Sequence, residues 1–249
     1  MITLSAFYVF SVILVASILQ TVTGFGFALV AAPLLTFAIA PKEAVIVVIF
    51  IGILIKGFMV CKTWREGAFA RIFLVFAASV VGALPGAYVL HAVSDSVLKI
   101  VIGLTLVLVT LAMYANYRVT IRRHDLAKSL VGFSSGFLGA VTSFNGPPLI
   151  MYLMNEGGDK TTIRADLARY FLLCNMATIM IAYFVGTVST DRLPGYAAVS
   201  APAILIGWWL GQKIFRRIDA ALFRRIALGV ISLSGLVTCG LGLWPLMTK

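Results

Sequence analysis

Charge is what this sequence has least of. Only 12% of its 249 residues are Asp, Glu, Lys or Arg, and only 9 are acidic, whereas a soluble domain carries about 25% charged residues. Water is therefore not the solvent for most of the surface. Histidine is nearly absent, with His91 and His124 in or beside connections, and Cys61, Cys174 and Cys239 stand singly in or beside apolar runs. No CxxC spacing occurs, so neither a disulfide framework nor a zinc site is indicated and no metal is expected. Enzyme signatures are missing too. Gly24-x-Gly26 is followed by Leu29 where a dinucleotide fingerprint needs its third glycine, and there is no GKS/GKT phosphate loop, HExxH or GxSxG. The chain reads as a non-enzyme without a cofactor, and a primary pump would need its ATP site on another subunit.

What is present is apolar. The chain is 61% hydrophobic with a mean hydropathy of +1.05, and an excess of that size must face a bilayer. Apolar runs lie at about 3–39, 44–61, 70–90, 98–117, 129–154, 168–189, 196–214 and 226–246. Most approach the roughly 20 residues that carry a helix across hydrocarbon. The runs 3–39 and 129–154 are longer and are broken by glycine, proline and small polar residues. The first run has no basic leader and exceeds signal-peptide length, so it reads as mature structure. No polar stretch is long enough for a soluble module, which makes 1–249 a single membrane transport domain. The net charge of +11 sits mainly in short gaps between runs, a positive-inside pattern that excludes nucleic acid as the partner.

The two odd runs resemble each other. Laid so that Gly24 falls on Gly139, Pro33 and Leu34 fall on Pro148 and Leu149. Gly82-xxx-Gly86 is echoed by Gly207-xxx-Gly211, each pair followed by a charged turn and a last apolar helix. This pattern reads as a duplication, with repeat 1 at about 1–120 and repeat 2 at about 126–249. If every run crossed once, Lys and Arg would divide evenly between the two sides. If 3–39 and 129–154 instead dip in and return, Lys42, Lys99, Arg192 and Lys249 lie alone outside, against all the other Lys and Arg. The asymmetry favours an all-α polytopic membrane protein of two inverted repeats, each a broken, re-entrant helical hairpin plus three transmembrane helices. The N-terminus then lies outside and the 118–128 connection inside.

Broken backbone at membrane depth costs several kcal/mol per unsatisfied group unless it lines a wet cavity. The breaks at Gly24-Phe25-Gly26 and at Thr142-Ser143-Phe144-Asn145-Gly146-Pro147-Pro148 thus call for a function. A restarted helix offers bare N–H groups and partial positive charge, which suits an anion. Thr21, Thr23, Ser143 and Asn145 supply further donors. The small residues of the isolated glycine pairs read instead as helix packing. Gln20 and Asn175 are ligands or interhelical hydrogen-bond partners, with both readings open. Lys56 and Arg169 are the candidates for meeting a substrate's charge; both are close enough to helix ends to snorkel, Lys56 the more so with Lys62 beside it. Arg164 and Asp166 read as an interfacial pair, and Glu43, Glu66, Asp95, Glu156, Asp159, Asp166, Asp191 and Asp219 all border loops.

A Gly-Phe-Gly break followed by Pro-Leu, repeated as Gly136-Phe137-Leu138-Gly139 through Pro148-Leu149, resembles the TauE/SafE sulfite exporter family, also called TSUP or DUF81 permeases. The family's Gly-Gly-Gly runs are degraded here, with Phe25 and Phe27 flanking Gly26 and Ser143-Phe144-Asn145 in the second copy. The resemblance implies secondary export of sulfite or organosulfonates such as sulfoacetate across a bacterial inner membrane. The alternatives are an anion channel or facilitator for other small organic anions, and an intramembrane enzyme or assembly factor, which would need a buried His, Cys or acidic constellation. Expected partners are a small anionic solute and the bilayer, with a homodimer allowed.

Overall fold

The computed structural model describes residues 2–23, 26–66, 69–114, 124–146, 149–150, 152–153, 160–187, 193–215, 229, 232–233 and 235–244. Its helices are α1 (Ile2–Thr23), α2 (Phe27–Leu35), α3 (Pro41–Lys62), α4 (Phe69–Ala92), α5 (Asp95–Tyr114), α6 (His124–Thr142), α7 (Lys160–Phe184) and α8 (Leu193–Phe215). A terminal α9 covers Gly235–Trp244. Helix α3 shows the local logic, opening on Pro41 with Glu43 in its first turn and closing on Lys62, each matched to the helix dipole or to the orphan N–H groups. Helices α3, α4 and α8, and Ala165–Phe184 of α7, are long and apolar enough to cross a bilayer. Phe73, Leu84, Tyr88, Leu104, Leu108, Met180, Phe184, Leu205 and Trp209 all point outward. An apolar exterior around an apolar core is a multi-pass membrane protein.

Lipid tails give no hydrophobic drive between helices, so close backbone approach must hold the bundle together. Helices α4 and α6 are joined reciprocally: a Cβ on Gly82 would strike the Phe133 carbonyl, one on Gly86 the Phe137 carbonyl, and one on Gly136 the Ser79 carbonyl. The paired numbers rise together, so α4 and α6 run parallel. Gly207 and Gly211 of α8 lie on Ser17 and Thr21 of α1 in the same parallel sense. Helices α5 and α9 are antiparallel, with Gly103 on Cys239 and Gly242 on Ile100. The packing reading of the glycine pairs holds.

The first long run turns back on itself. Tyr8 Oη donates to the Leu34 carbonyl (2.7 Å), and Gln20 Oε1 accepts from the Phe27 N–H (3.1 Å), so α2 returns along α1 and α3 begins where α1 began. On that face Lys42 Nζ donates to the His91 carbonyl (2.7 Å) and Tyr196 Oη to Glu43 Oε1 (3.1 Å). The opposite face carries Lys62, Trp64 and Arg71. There Arg71 pairs with Asp166 at 3.5 Å, and Arg169 donates to the Trp64 carbonyl. Asp166 is wholly buried and reaches across to α4, and its expected pair with Arg164 falls on a side chain outside the described residues. Because α6 parallels α4 and the start of α7 touches Arg71, α6 and α7 begin at one face.

Candidate anion site at the helix breaks

Gly26 sits at φ 113° and ψ −7°, a left-handed conformation that glycine takes without steric penalty. It lets the chain restart as α2, whose first-turn N–H groups have no acceptor within the helix. Gln20 takes one of them, that of Phe27, and its amide nitrogen lies 3.7 Å from Met59 Sδ. Gly26, Phe27, Ala28 and Leu29 then form one wall of a cavity of about 30 Å³.

The second break supplies the facing wall. Helix α6 ends at Thr142, whose hydroxyl donates to the Leu138 carbonyl (2.7 Å) and accepts from the Phe144 N–H (3.3 Å). Ser143 has φ 64°, uncommon for a residue with a Cβ, and the chain resumes helical form at Gly146. Ser143, Phe144, Asn145 and Gly146 line the cavity. Asn145 is held from behind: its Nδ2 donates to Asn175 Oδ1 (3.3 Å), and Asn175 Nδ2 donates to the Ile49 carbonyl of α3 (3.2 Å).

Lys56 of α3 and Phe171 of α7 close the space. Lys56 is only 5% exposed, so it does not snorkel. Its Nζ lies 5.4 Å from the centroid of the Phe171 ring, and among the described residues no carboxylate pairs with it. A cation at the bilayer centre costs roughly 2.5–3.5 kcal/mol, and a cation–π contact returns about 0.5–2 kcal/mol. An anion in the cavity would supply the remainder. A Cβ on Gly52 would come within 2.5 Å of Asn175 Nδ2 and 3.0 Å of Lys56 Nζ, so this glycine admits both groups to the same place.

Of the residues expected from the sequence, Gln20, Gly26, Lys56, Ser143, Asn145 and Gly146 converge on the cavity. Asn175 stands one hydrogen bond behind it, and Thr142 shapes the turn. Thr21 hydrogen-bonds within α1, to the Ser17 carbonyl. Arg169 does not reach the cavity: its guanidinium stacks 5.6 Å from the Trp64 ring on the Arg71 face. Gly24, Phe25 and the side chain of Thr23 lie outside the described residues. Sequence reasoning missed Phe27, Phe144 and Phe171. The signal for Phe171 was its place one turn before Asn175, on the same side of α7.

The chain is 24% identical over 230 residues to the "probable sulfite/organosulfonate exporter TauE" of Cupriavidus necator, an alignment covering 85% of each protein. No solved structure matches it. A family model described as sulfite exporter TauE/SafE matches residues 9–238, a span that contains both breaks and every cavity-lining residue. The chain belongs to the TauE/SafE family of membrane exporters.

Proposed function

We propose that this protein is a secondary exporter of small sulfur-containing anions, sulfite or organosulfonates, that binds its solute where the two helix breaks face each other. The observation that carries this reading is the buried Lys56 ammonium, which lines the cavity without a carboxylate among the described residues. Lys56 attracts the sulfonate, Asn145 donates to its oxygens, Ser143, whose hydroxyl donates to the Thr142 carbonyl, lines the space beside them, and the first turn of α2 adds N–H groups and a favourable dipole. Thr23, Gly24 and Phe25 belong to the same break and complete the site in this reading. Phe27, Phe144 and Phe171 exclude water and offer a surface to a short carbon chain.

The cavity is far below the roughly 300 Å³ of an open ligand pocket, which suits an occluded stage of alternating access and not a continuous wet channel. The parallel α1–α8 and α4–α6 pairs have equivalent places in repeats at about 1–120 and 126–249, which supports an inverted duplication. The basic face of Lys62, Arg65 and Arg71 is then cytoplasmic by the positive-inside rule, in a bacterial inner membrane.

The test is efflux and uptake in proteoliposomes against sulfite, sulfoacetate, taurine, thiosulfate and simple carboxylates, with and without a pH gradient. Saturable flux of sulfite or sulfoacetate is expected, with taurine disfavoured because, among the described residues, no carboxylate lines the cavity to meet its ammonium. Non-saturating, channel-like conductance of unrelated organic anions would overturn the transporter reading.

A further inference from the structure

Asn145 is a wall shared by two spaces. On its far side lies a second space, closed too tightly here to hold a water molecule and lined in part by Ser79, Gly139, Asn145, Cys174 and Thr178. Its place along the helices is informative. Cys174 and Thr178 follow Phe171 on α7, away from the face that holds Arg71 and Asp166, and Ser79 lies on α4, which runs on toward His91. The second void therefore continues from the Lys56 cavity toward the Lys42 face.

Besides Asn145, its lining sets Ser79, Cys174 and Thr178 among the apolar Val80, Ala83 and Ala177. The Ser79 hydroxyl reaches the Val75 carbonyl (2.8 Å) and the Gly132 carbonyl (2.9 Å), and it shares a hydrogen bond with the Tyr170 hydroxyl. Ser79, Cys174 and Thr178 are all buried. Polar side chains inside a membrane bundle are costly and mark solute paths, and packing does not require them here, because the glycines already bring α4 and α6 into contact. Asn145 lines both spaces, and its Nδ2 donates to Asn175 Oδ1 at 3.3 Å.

We infer that the void lined by Ser79, Cys174 and Thr178 is the exit limb of the translocation path, and that the Asn145 amide is the gate between it and the Lys56 cavity. The inference rests on the exporter reading above. The chemistry favours release. Among the described residues its lining brings no cation, so the anion is held more weakly past Asn145 than beside Lys56, as conduction requires.

Cys174 is a native reporter for this limb. Cys61 is exposed and Cys239 lies at the α5–α9 contact, so Cys61→Ser/Cys239→Ser leaves Cys174 as the sole thiol without touching either space. This double variant, reconstituted as the full chain, is treated with methanethiosulfonate ethylsulfonate, itself a small sulfonate, at the Lys42 face. Cys174 is expected to label, saturating sulfite to slow labelling at least fivefold, and Asn145→Ala to speed it about tenfold. Thr178→Cys in a Cys174→Ser background is a second reporter with the same expected pattern. Both thiols staying unreactive from that face while SDS-unfolded protein labels fully would overturn the exit limb, as would labelling indifferent to sulfite. The two readings separate in the same vesicles. Transport lost in Lys56→Gln, with inert reporters, refutes the limb alone, and transport retained in Lys56→Gln refutes the Lys56 site itself.

Discussion

Replacing Lys56 with Gln tests the reasoning most sharply, because binding and stability should move in opposite directions. A sulfonate about 4 Å from the ammonium, at an effective dielectric near 20, gains about 4 kcal/mol. The amide of Gln keeps a hydrogen bond worth about 1 kcal/mol. The net loss of about 3 kcal/mol corresponds to roughly a hundredfold weaker binding, read as a rise in the apparent KM for sulfite efflux from proteoliposomes. Without solute, the same substitution removes a buried cation whose placement costs roughly 2.5–3.5 kcal/mol. The detergent-solubilised variant should therefore unfold at a higher temperature than the parent. Lys56→Arg keeps the charge but crowds a cavity of about 30 Å³, and should recover part of the affinity. Unchanged KM in a folded Lys56→Gln protein would refute the binding role. A lowered unfolding temperature would make Lys56 a packing group.

Three further outcomes follow from the geometry. Gly52→Ala puts a methyl against Asn175 Nδ2 and Lys56 Nζ, so sulfite efflux should fall about tenfold or more while membrane insertion, measured by protease protection, is unchanged. Gln20→Ala strips the Phe27 N–H of its acceptor; thermal unfolding should report a loss of about 0.5–2 kcal/mol, the usual value of an N-terminal cap. Arg169→Gln should leave the KM for sulfite within about twofold, since a group outside the cavity contributes little to the bound state. A tenfold rise would place Arg169 on the solute path.

Much of the site was legible because a broken helix in a membrane must be justified locally. Glycine at 26 and the Ser143-Phe144-Asn145 interruption announce themselves against long apolar runs, and they do converge on one cavity. Lys56 and Arg169 were not separable by the same means. Each is one cation in an apolar stretch within reach of a helix end, and only the antiparallel packing of α3 on α7 turns Lys56 inward under Phe171 while Arg169 meets Trp64. The pairing of Asp166 with Arg71 was not legible for a related reason: distance along the chain from a loop says nothing about the neighbour that another helix brings.

The sequence by itself determined that the chain lives in lipid, that it is helical, and that two of its long apolar runs are broken. Those conclusions follow from hydrocarbon thickness, the cost of unpaired backbone and the distribution of Lys and Arg, all of which act on local stretches. The tertiary structure alone decided which polar groups meet. The glycine contacts of α4 with α6 and of α8 with α1 set how the hairpins approach, and that approach places Lys56, Asn145 and the start of α2 around one small space.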